Sequence, residues 1–86
     1  MSGKGLTPDG GLTDSNELEV ELKKAMLAAA KEKIALVDSS KLGHRAFARI
    51  DDLSAFTTII TDPGIDPAMA EAIREHGGDL VIAPAD

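Results

Sequence analysis

Apolar and polar positions divide this chain into an opening stretch without periodicity and a later series of short helical and strand-like segments. Leu18, Leu22, Ala25, Met26 and Ala29 recur at helical spacing and draw one apolar stripe, while Glu17, Glu21, Lys24 and Lys31 fall elsewhere on the helix. Thr13 to Asn16 supply N-cap residues, Glu17 and Glu19 suit the positive end of the helix dipole, and the pattern carries the helix to about Glu32. Ile34 to Asp38 is apolar on every residue but the last, the pattern of a strand covered on both faces, which favours a parallel sheet with helices on both sides.

Beyond Lys41, His44 to Ile50 partly alternates, as in a short half-exposed strand closed by Asp51-Asp52. Leu53 to Phe56 suits a single helical turn, and the β-branched run in Thr57 to Asp62 predicts a second buried strand, stopped by Pro63-Gly64. Asp66 followed by Pro67 marks a helix start; the helix runs through Ala70 and Ile73 to Gly77-Gly78, and Leu80 to Ala83 makes a third strand. Ser2 to Gly11, rich in turn-formers and without a period, predicts a loop or extended arm. A chain that starts in such a loop reads as beginning in the middle of a domain, with an artificial start at Met1. There is no internal repeat. The element order implies an α/β fold with right-handed crossovers, a parallel-sheet, Rossmann-like three-layer arrangement that is only partial.

Composition narrows the function. At 86 residues the chain is one small domain or part of a larger one. Its 9 basic and 15 acidic residues give a net charge of -6, the wrong sign for neutralising nucleic-acid phosphates, so this segment is not expected to bind DNA by itself. The absence of cysteine removes disulfides, thiolate chemistry and thiol-based zinc sites and fits a reducing cytoplasm. No stretch approaches a membrane span or a signal peptide, so the expected location is cytoplasmic.

The candidate chemistry sits where the first apolar run ends, at Asp38-Ser39-Ser40-Lys41. Ligands of parallel sheets bind at the carboxyl ends of the strands, where Lys41 would offer a point charge to a phosphate and Ser39, Ser40 and nearby amides would add hydrogen bonds. A sugar phosphate fits those donors, whereas an isolated Lys41 would be an ordinary surface lysine. Asp38 either caps the loop or meets ligand hydroxyls. Gly10-Gly11-Leu12-Thr13 reads as a turn into a helix N-terminus, a place that attracts anions. His44 and His76 lack partners at ligand spacing, so no metal is expected; Asp51-Asp52 reads as a solvated strand end, and no Ser-His-Asp motif is present.

Two blocks carry a resemblance. Gly11-Leu12-Thr13-Asp14-Ser15-Asn16 with Glu19, Lys23 and Met26, then Asp38-Ser39-Ser40-Lys41 with Gly43, Ala46, Phe47 and Ile60-Thr61-Asp62, resemble the C-terminal sensor domain of DeoR-family bacterial transcription regulators. The resemblance runs from about Gly3 to the end, and Leu42 stands where the family usually has phenylalanine. It implies an isomerase/CoA-transferase-like sensor fold, similar to ribose-phosphate isomerase and glucosamine-phosphate deaminase, that binds phosphorylated sugars and thereby releases a repressor from its operator. Asp38-Ser39-Ser40-Lys41 also looks like the isomerase's Asp-Ala-Ser-Lys segment, whose lysine contacts substrate phosphate. By the same carry-over, the opening loop with Gly11, Thr13 and Asn16 faces the sugar, and Glu19 and Lys23 orient the first helix or the site.

A full regulator of that kind also carries an N-terminal winged helix-turn-helix and a first sensor half with another glycine-rich phosphate loop, so the chain is expected to be roughly the second half of a sensor, meeting DNA only through a domain outside it. An uncovered sheet edge and apolar face would then favour a dimer or higher oligomer. The expected function is non-enzymatic and cofactor-free, since no carboxylate is clearly placed as the general base of an isomerase. The alternatives are a fragment of a sugar-phosphate isomerase-like enzyme and a remnant that folds and binds nothing.

Overall fold

The computed structural model describes residues 1–46, 48–76 and 79–84. Its first elements are two short antiparallel strands, β1 (Gly5–Thr7) and β2 (Gly11–Asp14), where the turn-rich composition predicts a loop. Strands of three and four residues are too short to show a period, but Leu6 and Leu12 face each other across the pair and are wholly buried. Gly11 makes the pairing possible. Its φ of +75° lies in the left-handed region, and a Cβ there would collide with the carbonyl oxygen of Asp51 in β4 (Ala48–Asp51), which pairs antiparallel with β2. Gly10 to Thr13 is therefore a turn entering a buried strand, not a turn entering a helix.

Helix α1 (Glu17–Ala29) begins where Asn16 Oδ1 accepts from the Glu19 amide at 3.1 Å, and it ends three residues short of the expected Glu32. Its buried positions are Val20 and Leu27, which face β2 and β4. The predicted stripe points outward instead: Leu18, Leu22 and Met26 are 71%, 57% and 63% exposed, and Ala25 and Ala29 are exposed with them. The face turned inward carries Val20, Lys23 and Leu27, with the Lys23 ammonium paired to the buried Asp14 carboxylate at 2.8 Å.

The remaining strands, β3 (Ile34–Leu36), β5 (Thr58–Thr61) and β6 (Asp79–Ile82), form a parallel sheet in the order β3-β5-β6, which with its helices makes the α/β fold expected from the sequence. One row of the register, Ala35, Ile59 and Leu80, turns inward, Ala35 and Ile59 being wholly buried. The alternate row leaves Ile34, Leu36 and Val81 exposed. The first of these strands is thus covered on one face rather than both. Helix α2 (Pro67–His76) packs beside β6 and a 3-10 turn at Leu53–Ala55, with Ala70 and Ile73 buried. Asp66 Oδ2 caps it by accepting from the Ala68 and Met69 amides, as the Asp-Pro pair predicts. The helix stop at Gly77-Gly78 and the position of Phe47 lie outside the described residues. One apolar cluster, with Leu6, Leu12, Leu27, Val37, Phe56 and Ile73 among its members, is common to both sheets. No helix among the described residues is long and apolar enough to cross a membrane.

Candidate functional site

Asp38, Ser39, Ser40 and Lys41 share one 3-10 turn just past the carboxyl end of β3, where the Val37 amide still bonds the Ile60 carbonyl. Asp38 Oδ1 accepts from the Ser40 amide at 3.1 Å, and the Asp38 carbonyl accepts from the Lys41 amide at 2.9 Å, so the acid caps the turn. Ser40 and Lys41 are exposed and Ser39 is half-buried. The Lys41 ammonium has no polar partner among the described residues, whereas Lys23, Arg45 and Arg49 are each ion-paired.

The turn is fastened on two sides. Asp62, at the carboxyl end of β5, accepts from the Ser39 amide through Oδ2 and from the Gly64 amide through Oδ1, both at 2.8 Å. The Ser39 amide, followed by the Ser39 hydroxyl and the Gly64 amide, lowers the Asp62 carboxyl to about 2. On the other side the Gly43 amide donates to the Leu6 carbonyl of β1 at 2.8 Å, and Gly43 has φ +83°. A cleft of about 380 Å³ opens between the turn and the start of α2, lined by Ser39, Leu42, Gly64, Asp66, Met69 and Ala72 among others. Asp66 already accepts from the first α2 amides, and Lys41, at the end of the turn, is exposed beside this mouth rather than lining it.

The other three candidates hold places outside the turn. Gly11 is buried under β4. The Thr13 hydroxyl, 2% exposed, donates to the Gly5 carbonyl at 3.2 Å and accepts from the Ala46 amide at 2.8 Å; Asn16 caps α1. Thr13 is thereby tied to β1 and to the segment that follows the turn rather than to the turn itself. Lys23 joins Asp14 to the Ser2 carbonyl, while the Glu19 side chain has no polar partner among the described residues. Two acids carry more than the sequence reading assigned to them. Asp14 anchors α1, and Asp62 ties the turn to the β5–α2 loop. Asp62 follows a β-branched run much as Asp38 follows an apolar one, and that parallel was the available signal. A second depression of about 330 Å³ contains Thr13, Arg45 and Arg49, with the guanidiniums paired to Asp9 at 3.1 Å and Asp52 at 2.7 Å. Among the described residues no three His, Asp or Glu side chains gather in a way that could hold a metal ion.

An α/β fold with a lysine-bearing turn at the mouth of its parallel sheet is the class of structure defined so far. The profile of the family described as the DeoR C terminal sensor domain matches residues 1–63, and the chain belongs to that family. It is 40% identical over 84 residues to an uncharacterized HTH-type transcriptional regulator, YulB, of Bacillus subtilis, covering 98% of this chain and 33% of the relative. It is 31% identical to the L-fucose operon activator of Haemophilus influenzae over 88% of this chain and 30% of the relative. The HTH-type transcriptional repressor GlcR of Bacillus subtilis is 32% identical over the same shares, 88% and 30%. The chain thus spans about a third of the length of the curated relatives it matches.

Proposed function

We propose that this chain is the C-terminal portion of the effector sensor of a cytoplasmic transcriptional repressor of sugar metabolism, and that it binds a phosphorylated sugar. The observation that carries the reading is the exposed Lys41 ammonium, unpaired among the described residues, on a turn with Ser39 and Ser40 at the carboxyl end of a parallel sheet, in a chain of this sensor family. Lys41, with the two hydroxyls, takes the phosphate, and Asp38 stands toward the sugar; Gly11, Thr13 and Asn16 hold the antiparallel sheet and the start of α1 instead. Contact with DNA belongs to a helix-turn-helix domain outside residues 1–86. Effector binding favours a sensor state that places those domains poorly on the operator, by no more than the effector's difference in affinity between states.

The module acts by binding rather than turnover. The two carboxylates of the turn are occupied by backbone amides, and Asp62, held near 2, is a poor base at neutral pH. The test is the thermal shift of the chain and of Lys41→Ala across a panel of sugar phosphates and their unphosphorylated sugars. A ligand at about 100 times its dissociation constant should stabilise the wild type by about 2.7 kcal/mol, and Lys41→Ala should lose the response. A response to no phosphate ester, or one unchanged in Lys41→Ala, refutes the assignment; sustained aldose–ketose exchange would replace it with an enzyme.

A further inference from the structure

Asp62 accepts from two backbone amides at the mouth of the parallel sheet, and nothing in the chemistry assigned to Lys41 uses it. Both of its oxygens point back into the chain. Oδ2 takes the Ser39 amide from the loop after β3, and Oδ1 takes the Gly64 amide from the loop after β5, each at 2.8 Å. These loops are 23 residues apart in sequence, and the carboxylate bridges them. Gly64 completes the arrangement: a Cβ there would lie 2.6 Å from Ser39 Oγ and 2.9 Å from Asp62 Oδ1, so a side chain at this position would push the Ser39 hydroxyl and the Asp62 carboxylate out of place. The Ser39 amide opens the 3-10 turn, and the three residues of that turn end at Lys41.

We infer that Asp62 is the positioning residue of the ligand turn: by accepting from the Ser39 and Gly64 amides it fixes Ser39, Ser40 and Lys41 in the geometry that receives a phosphate, without touching the ligand. The inference rests on the function proposed above for what the turn binds, but the fastening itself stands apart from it. Its chemistry sets a sign. A carboxylate near a phosphate site repels the ligand, so if Asp62 acted only through its charge, neutralising it would tighten phosphate binding. As a positioning group it has the opposite effect. Asparagine offers one oxygen where two acceptors are in use, so one of the two amides must face an NH2 group and the turn is released.

Two measurements on the 86-residue chain test this, with Asp62→Asn and Gly64→Ala as probes and Ile50→Val, a mild core truncation in β4, as the control for general loss of stability. Residue-resolved amide exchange reads the fastening directly. In Asp62→Asn the Ser39 or Gly64 amide should exchange at least tenfold faster than in the wild type while amides of β2 change little, and Gly64→Ala should reproduce the effect. Ile50→Val should show no such selectivity. Equal acceleration throughout the chain, or none at Ser39 and Gly64, overturns the inference. Titration with inorganic phosphate, fructose 6-phosphate and ribose 5-phosphate reads the consequence. A dissociation constant raised at least tenfold in Asp62→Asn and unchanged in Ile50→Val supports positioning, and one lowered or unchanged in Asp62→Asn overturns it. A wild-type chain that binds none of the three probes counts against the proposed function, and the exchange data then decide the role of Asp62 alone.

Discussion

Lys23 and Lys24 are adjacent on α1 and share a chemistry, but their surroundings differ. Lys23 Nζ lies 2.8 Å from an Asp14 carboxylate that is 2% exposed, whereas Lys24 meets Glu21 at 3.9 Å with both side chains largely in water. Lys23→Ala leaves a buried carboxylate with only the Ser15 and Asn16 amides, and should cost about 1.5–3 kcal/mol in chemical denaturation. Lys24→Ala should cost less than about 0.5 kcal/mol. Equal midpoints for the two variants would remove Asp14 as the anchor of α1. The same scale sets the acid response. Asp62 falls from its ordinary 3.8 to about 2 on folding, chiefly through the Ser39 amide, and Asp14 is lowered as well, chiefly by its hydrogen bond from Lys23. A carboxyl lowered by folding stabilises the folded chain above its unfolded value and loses that contribution as pH falls through its folded value. The melting temperature should therefore drop between pH of about 4 and 2, and less steeply in Asp62→Asn than in the wild type. Parallel curves for the two proteins would remove Asp62 from the acid response.

At the scale of elements, Gly11 tests the antiparallel sheet. Gly11→Ala places a side chain at φ +75° and against the Asp51 carbonyl, and should cost more than the roughly 1–2 kcal/mol of a left-handed residue alone. A midpoint within error of the wild type would mean that β2 and β4 do not pair in this register. Of this sheet the sequence revealed β4, which the partial alternation of His44 to Ile50 predicts, but not β1 or β2. Leu6 and Leu12 are buried because strands distant along the chain meet, and runs of three or four residues carry no period by which to read that. The legible elements were those with local punctuation: α2 behind Asp66-Pro67, the 3-10 turn after Asp52, and β5 before Pro63-Gly64. The α1 stripe was real as a pattern and misleading as to direction: the face that packs inward carries Val20, Leu27 and the Lys23–Asp14 ion pair, which hydropathy does not register. At the site, the Asp38–Lys41 turn could be read from its own residues. For Asp62 only its place after a β-branched run was legible, since its partner Ser39 lies 23 residues upstream.

For the molecule as a whole, the exposed residues matter most. Leu18, Leu22 and Met26 on α1, and Ile34, Leu36 and Val81 on the parallel sheet, are large apolar side chains left in water, the kind of surface that association covers. The chain on its own should therefore self-associate. Small-angle scattering is expected to report a dimer or larger particle, and Leu22→Gln with Leu36→Gln should shift it towards monomer without lowering the melting temperature. A compact wild-type monomer at high concentration would refute this. The position of the ligand turn gives the two sheets a mechanical relation. One end is pinned to β5 through Asp62 and the other to β1 through the Gly43 amide, so the turn works as a rivet through two plates. Stiffening the rivet loads both plates at once, and a small molecule seated at Lys41 would thus be felt in the β1–β2 hairpin across the chain.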